Sequence, residues 1–260
     1  MSNEANISID DARALVADEA LWPRVRDFLW DFAPQVHESW LEDVLATKNA
    51  ENAKNGKNAL CDLCALCGKE RNAPRVKRYI LESLGVEPCF HAFPKEDGSR
   101  ILLLDGATLE SAAKWLGALA CAESLRRVTS GEVVRGLKSK FRGIYPEVFS
   151  YTAYFKENDF QRRDAYPPAE GCPQSGCPSR GETQRLEDEV VSTGYNMLFS
   201  AIAGLPASLV SRLKLKLPKS LCDLCVSAPL RLKERSSQTS LSAVLKLFKL
   251  KFPEAYKLCC

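Results

Sequence analysis

The 260-residue sequence is poor in the residues that usually advertise chemistry, with two histidines, two methionines and a net charge of only +3. So small a charge does not by itself imply a nucleic-acid partner. Neither His37 nor His91 lies in an HExxH motif or beside a nucleophile in a recognised arrangement, so each is expected to be hydrogen-bonded or solvent-facing. Phosphate-cradling loops of the GxxxxGK[ST] or GxGxxG type are missing, and the glycines fall at expected helix ends or in loops. Carboxylate pairs such as Asp10-Asp11 and Glu42-Asp43 sit near expected helix N-termini, where the helix dipole alone favours them. No catalytic, cofactor-binding or metal-binding residues are therefore assigned, and an enzyme is not expected. Apolar runs are short as well. The longest, Trp115 to Ala122, falls far below the roughly 20 residues of a membrane span. The opening MSNEANISIDDARALVADEA is acidic and lacks the basic and apolar regions of an export signal. The expectation is a cytoplasmic chain that reaches a membrane only through a partner.

Cysteine, by contrast, is plentiful. Eleven cysteines in a chain without an export signal should be mostly reduced, and an odd number cannot pair completely within one chain. The string LCDLC occurs at 60–64 and again at 221–225, so Cys61, Cys64, Cys222 and Cys225 form two CxxC hooks of the kind that supply a four-thiolate zinc site. The gap between the hooks is very long for a zinc module. A simpler account is that Cys61, Cys64 and Cys67 share a helix face with Leu60 as small apolar residues, since free cysteine is commonly buried. An iron–sulfur reading of the same three lacks its fourth ligand, because Gly68-Lys69-Glu70-Arg71 follows. Cys172 and Cys177 make two ligands at most, and Cys259 and Cys260 are expected to be exposed.

Most apolar positions recur at three- and four-residue steps, which predicts an all-α, mainly helical and irregular bundle. Leu15 and Val16 belong to a first helix, and Pro23 suits the first turn of a second with Val25, Phe28, Leu29 and Phe32 on one side. Ser39 is a candidate cap for a third, and Pro74 can start another that ends at Gly85. The clearest block, from about Asp105 to Phe155, carries Leu109, Ala112, Ala113, Leu116 and Leu119, then Ser130 as the cap of a helix with Val133 and Leu137 inward. Helix is expected again from about Leu186 to Ala203 and from near Ser237 to Pro253. Extended signals are confined to Ile101–Leu104 and Arg212–Leu217. In the latter, strict alternation predicts that Leu213, Leu215 and Leu217 pack inward while Arg212, Lys214 and Lys216 face solvent or an acidic partner. The organisation expected is one helical domain over 1–260, with a polar loop at 47–58 and a flexible Pro- and Gly-rich loop at 157–185.

Charge is unevenly spread. The first 50 residues hold ten Asp/Glu against four Lys/Arg, whereas Arg212 to Lys257 holds eleven Lys/Arg against three Asp/Glu. An acidic end and a basic end suit a bridge between partners of different charge.

Three blocks carry a family resemblance. They are FAPQVHESWL at Phe32–Leu41, LLLDGATLESAAKWLGALACAESLRRVTSGEVV at Leu102–Val134, and GYNMLFSAIAGLPASLVSRLKLKLP at Gly194–Pro218 with the final apolar helix. The R-L-x-L-x-L-P string at Arg212–Pro218 is the most specific. Together they resemble the SctK (YscK/PscK/MxiK/OrgA-type) family of bacterial type III secretion. The resemblance implies a non-enzymatic adaptor of the injectisome sorting platform, peripheral to the inner membrane. Its implied partners are the cytoplasmic domain of the ring protein (SctD), the pod protein (SctQ) and, through the latter, the stator (SctL), with no nucleic acid. Two other classes fit parts of the sequence: a zinc-stabilised regulatory or nucleic-acid-binding protein using the CxxC hooks, and a secretion chaperone or regulator.

If the thiols are packing residues, a chelator leaves the thermal unfolding midpoint unchanged. One zinc per chain, with collapse on chelation, would contradict this, because a structural zinc contributes folding free energy directly.

Overall fold

The computed structural model describes residues 9–42, 44, 74–86, 90–155, 179–220 and 235–260. Its helices in chain order are α1 (Ile9–Ala17), α2 (Trp22–Leu29), α3 (Pro74–Ser83), α4 (Gly106–Ala120), α5 (Ala122–Arg126), α6 (Gly131–Lys140), α7 (Tyr145–Tyr151), α8 (Ser179–Ala201), α9 (Ala207–Lys216), α10 (Arg235–Lys251) and α11 (Pro253–Cys259). Short 3-10 turns occupy Ala33–Gln35, Ser99–Leu103 and Thr152–Tyr154. No strand occurs among the described residues, and the fold is all-α. No helix among them is long and apolar enough to cross a membrane.

Local chemistry sets many of the helix ends. Pro23 falls in the first turn of α2, where its missing N–H costs nothing. Ser130 Oγ accepts the Val133 N–H at the start of α6. The end of α3 is a Schellman turn. Gly85 takes φ +64°, its N–H reaches Glu82 O, and Val86 N–H reaches Leu81 O. Ser39, expected as a cap, lies inside helical residues 38–42, and its own N–H donates to His37 Nδ1. The imidazole thus does the capping.

Both extended segments expected from the sequence are helical. Ile101–Leu104 follows a 3-10 path through Leu103, and all four side chains are buried. Arg212–Leu217 falls mainly within α9. Six alternating residues fit a strand only if a neighbouring strand can pair with them. Extending a helix begun at Ala207–Ser211 costs far less than starting a new element. Helix α8 also begins earlier than expected, at Ser179 rather than near Leu186. The 47–58 loop and residues 157–178 of the other lie outside the described residues.

The chain forms two compact units. The first draws on the described residues of Met1–Gly106, Leu205–Cys222 and Leu258–Cys260. Val25, Phe28, Phe32, Phe93, Ile101, Leu102, Leu213 and Leu217 are its fully buried apolar residues at the point where α2, α9 and the 99–103 turn supply side chains. The second draws on Ala107–Gly204 and Asp223–Lys257. There α8 packs on α10 and α6, burying Val190, Leu198, Val133, Leu137, Val244 and Phe248.

Within the second unit α4 crosses α8 backbone to backbone. A Cβ on Gly117 would stand 1.8 Å from Val190 O, and one on Gly194 would stand 1.8 Å from Ala113 O. Neither position tolerates a side chain unless the helices part. Gly117→Ala or Gly194→Ala should therefore cost about 3 kcal/mol or more in denaturant unfolding. Gly143→Ala, at φ +77° but with open space around the site, should cost only about 1 kcal/mol. Equal stability of Gly117→Ala and the parent would contradict the crossing.

Candidate interaction surfaces

Helix α9 carries the segment singled out from the sequence. Leu209, Arg212, Leu213 and Lys216 recur at steps of three, one and three, share one helix face and are all buried. Arg212 is 2% exposed and Lys216 3%. The leucines of the string pack inward as expected, whereas Arg212 and Lys216 do not face solvent. Helical geometry places them one turn apart on the inward face. Lys214 lies at intermediate exposure.

Each buried cation meets backbone carbonyls at the end of another element. Arg212 Nη1 donates to Phe28 O (2.7 Å) and Leu29 O (3.0 Å), the last carbonyls of α2. Lys216 Nζ donates to Leu102 O (2.6 Å) and Leu104 O (2.9 Å) at the end of the 99–103 turn. Carbonyls at helix C-termini lack intrahelical donors and carry the negative end of the dipole, so cations there are doubly favoured. Aromatic faces complete the sites. The Arg212 guanidinium lies 5.8 and 5.5 Å from the Phe28 and Phe32 ring centroids, and Lys216 Nζ lies 4.8 Å from that of Phe28. The end of α9 is capped in return. His37 N–H donates to Leu215 O, and Trp40 Nε1–H donates to Leu217 O at 2.9 Å.

Burial pushes the Lys216 ammonium from 10.5 down to about 7, with Asp105 opposing the fall and Arg24 adding to it. Two carbonyls match the two hydrogens of a neutral amine, and the third hydrogen of the ammonium has the Phe28 face available.

The first unit also exposes aromatic surface. Trp30 is 55% exposed and Phe90 44%. Their rings lie 6.0 Å apart, and Trp22 stands edge-on to Trp30 at 5.8 Å. Exposed clustered aromatics of this kind are typical anchors of protein interfaces. Beside them, His91 Nε2 pairs with Asp97 Oδ2 at 2.9 Å, and Asp97 Oδ1 accepts the Ser99 N–H at 2.7 Å. Burial would raise the Asp97 carboxyl, but these bonds outweigh it and hold the group below its ordinary range. His37 and His91 are thus both hydrogen-bonded.

In the second unit Lys251 fills an aromatic cage. Its Nζ stands 4.5 Å from the Trp115 centroid and 4.2 Å from that of Tyr151, and it pairs with Glu147. Burial would lower this ammonium, yet the bonds to Glu147 and Tyr151 outweigh it and raise it. The cage joins α10 to α4 and α7 and is occupied by the protein's own lysine.

The family model of YOP proteins translocation protein K (YscK) matches residues 33–259. The chain belongs to the YscK family. That family is a structural component of type III secretion. No curated protein and no solved structure matches the chain. The YscK match takes in α9 with both buried cations, the 37–40 cap and the Lys251 cage, whereas Trp22 and Trp30 lie before its first residue.

The CxxC hooks remain apart from this description. Cys61, Cys64, Cys67, Cys172, Cys177, Cys222 and Cys225 lie outside the described residues. Among the described residues no three His, Cys, Asp or Glu side chains gather as metal ligands. Cys260 is exposed, but Cys259 is buried, contrary to expectation, because α11 continues the helical chain past Pro253. Burial first, and then the neighbouring Cys260, push its thiol up to about 12, with Arg100 opposing.

The Lys216 site predicts a pH dependence with a definite sign. Between about pH 7 and 10.5 the unfolded chain holds a proton on Lys216 that the folded chain has released. Stability should therefore rise with pH across that window and lose this contribution as pH falls towards 7. Urea unfolding of the parent and of Lys216→Met at several pH values isolates the term. The parent's advantage over the variant should grow by several kcal/mol towards alkaline pH, and a difference independent of pH would contradict the assignment.

Proposed function

We propose that this YscK-family chain is a non-enzymatic, cytoplasmic adaptor of the type III secretion sorting platform. In this reading it links the cytoplasmic domain of the inner-membrane ring protein (SctD) to the pod protein (SctQ), and through that protein to the stator (SctL), touching the membrane only by way of the ring. The observation that carries the proposal is the family match over residues 33–259.

Two further features support it. An adaptor needs surfaces in excess of its folding needs, and the exposed Trp30–Phe90 pair is one such surface. It also needs to distinguish its partners, and the acidic first 50 residues and basic final segment provide unlike charge for that purpose.

The test is pairwise binding of the purified chain to the ring protein's cytoplasmic domain and, separately, to the pod protein. Both should bind, and Trp30→Ala with Phe90→Ala should weaken one of the two by about tenfold or more while leaving the helical signal intact. Binding to neither would sink the adaptor reading, and binding only to secreted substrates would favour a chaperone.

A further inference from the structure

Helix α2 carries more aromatic side chain than its folding uses. Val25, Phe28 and Leu29 are buried and anchor it. Trp22 and Trp30 stand outside that set, Trp30 as the residue that closes the helix with its N–H on Arg26 O. Trp22 meets Trp30 with the ring planes inclined at 61°, and the exposed rings of Trp30 and Phe90 are inclined at 57°. Inclined rings leave electron-rich faces open beside ring edges. The surface is also held in place. His91, next to Phe90, is bonded to Asp97 and lies edge-on to the fully buried Phe93. Little conformational freedom is therefore left to lose when a ligand binds.

Hydrogen-bond capacity narrows the ligand. The Trp40 indole N–H donates to Leu217 O, but those of Trp22 and Trp30 have no acceptor among the described residues. Two open donors beside aromatic faces call for a ligand that offers apolar rings and unused carbonyls together. An α-helix uses its carbonyls internally except in its last turn. An added strand needs a sheet edge, and no strand occurs among the described residues. A polyproline II segment has no internal hydrogen bonds, so all its carbonyls are free. Two of its residues advance about 6.2 Å, close to the ring spacings of 5.8 and 6.0 Å. Charge narrows the choice further. Residues 18–31 hold Asp18, Glu19, Asp27 and Asp31 against Arg24 and Arg26, and Arg26 is paired with Asp27 at 2.9 Å. Glu19, three residues before Trp22, is exposed and has no ion pair among the described residues. Stacked nucleic acid would bring phosphates to an acidic stretch, whereas a basic flank on a peptide finds a match there.

Building on the adaptor reading of this surface, we infer that Trp22, Trp30 and Phe90 bind a proline-rich segment of a partner protein in polyproline II conformation, with a lysine or arginine at one flank. Proline rings rest against Trp30 and Phe90. The indole N–H groups of Trp22 and Trp30 donate to carbonyls of the segment, and the flanking cation meets Glu19. The rings supply the affinity, while the indole donors and Glu19 set direction and preference.

The test titrates the full chain, by fluorescence anisotropy, against a labelled oligoproline peptide that begins with arginines. Three controls run beside it: oligoproline beginning with glutamates, an amphipathic helical peptide with leucines one turn apart, and single-stranded oligothymidine. The arginine-led oligoproline should bind, more tightly than the glutamate-led form, and the helical peptide and oligothymidine should not. Trp30→Ala should weaken it by about tenfold or more. Trp30→Phe, which keeps an aromatic ring and loses the donor, should weaken it by about fivefold. Both changes fall at an exposed position and should leave the helical signal intact. Glu19→Lys should remove the preference for the arginine flank. Failure of the arginine-led oligoproline to bind, or binding that Trp30→Ala leaves unchanged, would overturn the inference. Equal or tighter binding of the helical peptide or of oligothymidine, or a dimer of this chain lost in Trp30→Ala, would overturn it too, in favour of a helix, a nucleic acid or a second copy. Titration of the ring and pod proteins separates the two readings. If they bind while oligoproline does not, the ligand class fails and the adaptor reading stands; if oligoproline alone binds, the reverse holds.

Discussion

The first unit depends on an arginine and a lysine buried on one face of one helix. Taking a guanidinium out of water is costly unless it finds well-placed acceptors, and burial of Lys216 favours its neutral amine. Helix α9 supplies them by geometry alone. Residues 212 and 216 stand one turn apart, so a single helix brings Arg212 to the end of α2 and Lys216 to the end of the 99–103 turn. Each side chain donates hydrogen bonds to carbonyls at the end of another element. The orientation of α2, α9 and the 99–103 turn is thereby specified by direction-dependent bonds, which apolar packing around Phe28, Phe32 and Phe93 could not specify alone. Phe93 takes φ +53°, a conformation costly for a bulky residue, and does so where it is fully buried and edge-on to both Phe28 and His91.

The second unit reaches definition by other means. Gly117 and Gly194 let α4 and α8 meet at backbone distance. Lys251, held between Trp115 and Tyr151 and paired with Glu147, ties α10 to α4 and α7.

Much of this was legible in the sequence where periodicity ran long. The helices around Leu109–Leu119 and Val133–Leu137 follow from three- and four-residue spacing, and Pro23, Pro74, Gly85 and Ser130 mark their ends by known cap chemistry. Arg212–Leu217 was misleading because six alternating residues also satisfy a helix in which two of the polar positions are buried. The signal that separates the readings is the spacing of Leu209, Arg212, Leu213 and Lys216, which only a helix brings to one face. Burial of a lysine and an arginine runs against composition-based expectation, and the carbonyls that make it affordable come from residues more than 100 positions away. The aromatic pair Trp30–Phe90 and the Lys251 cage are likewise tertiary, built from residues far apart in the chain. Family membership was legible in the same blocks that the match at 33–259 covers.

Among the described residues the interior is fixed by directional contacts, and the exterior retains aromatic surface at Trp30 and Phe90. The most direct measurement of the adaptor claim is the mass, by light scattering after size-exclusion chromatography, of a mixture of this chain with the ring protein's cytoplasmic domain and the pod protein. The account predicts one complex containing all three, formed only when this chain is present. A ring–pod complex that forms as well without the chain, or two mutually exclusive binary complexes with it, would contradict the account.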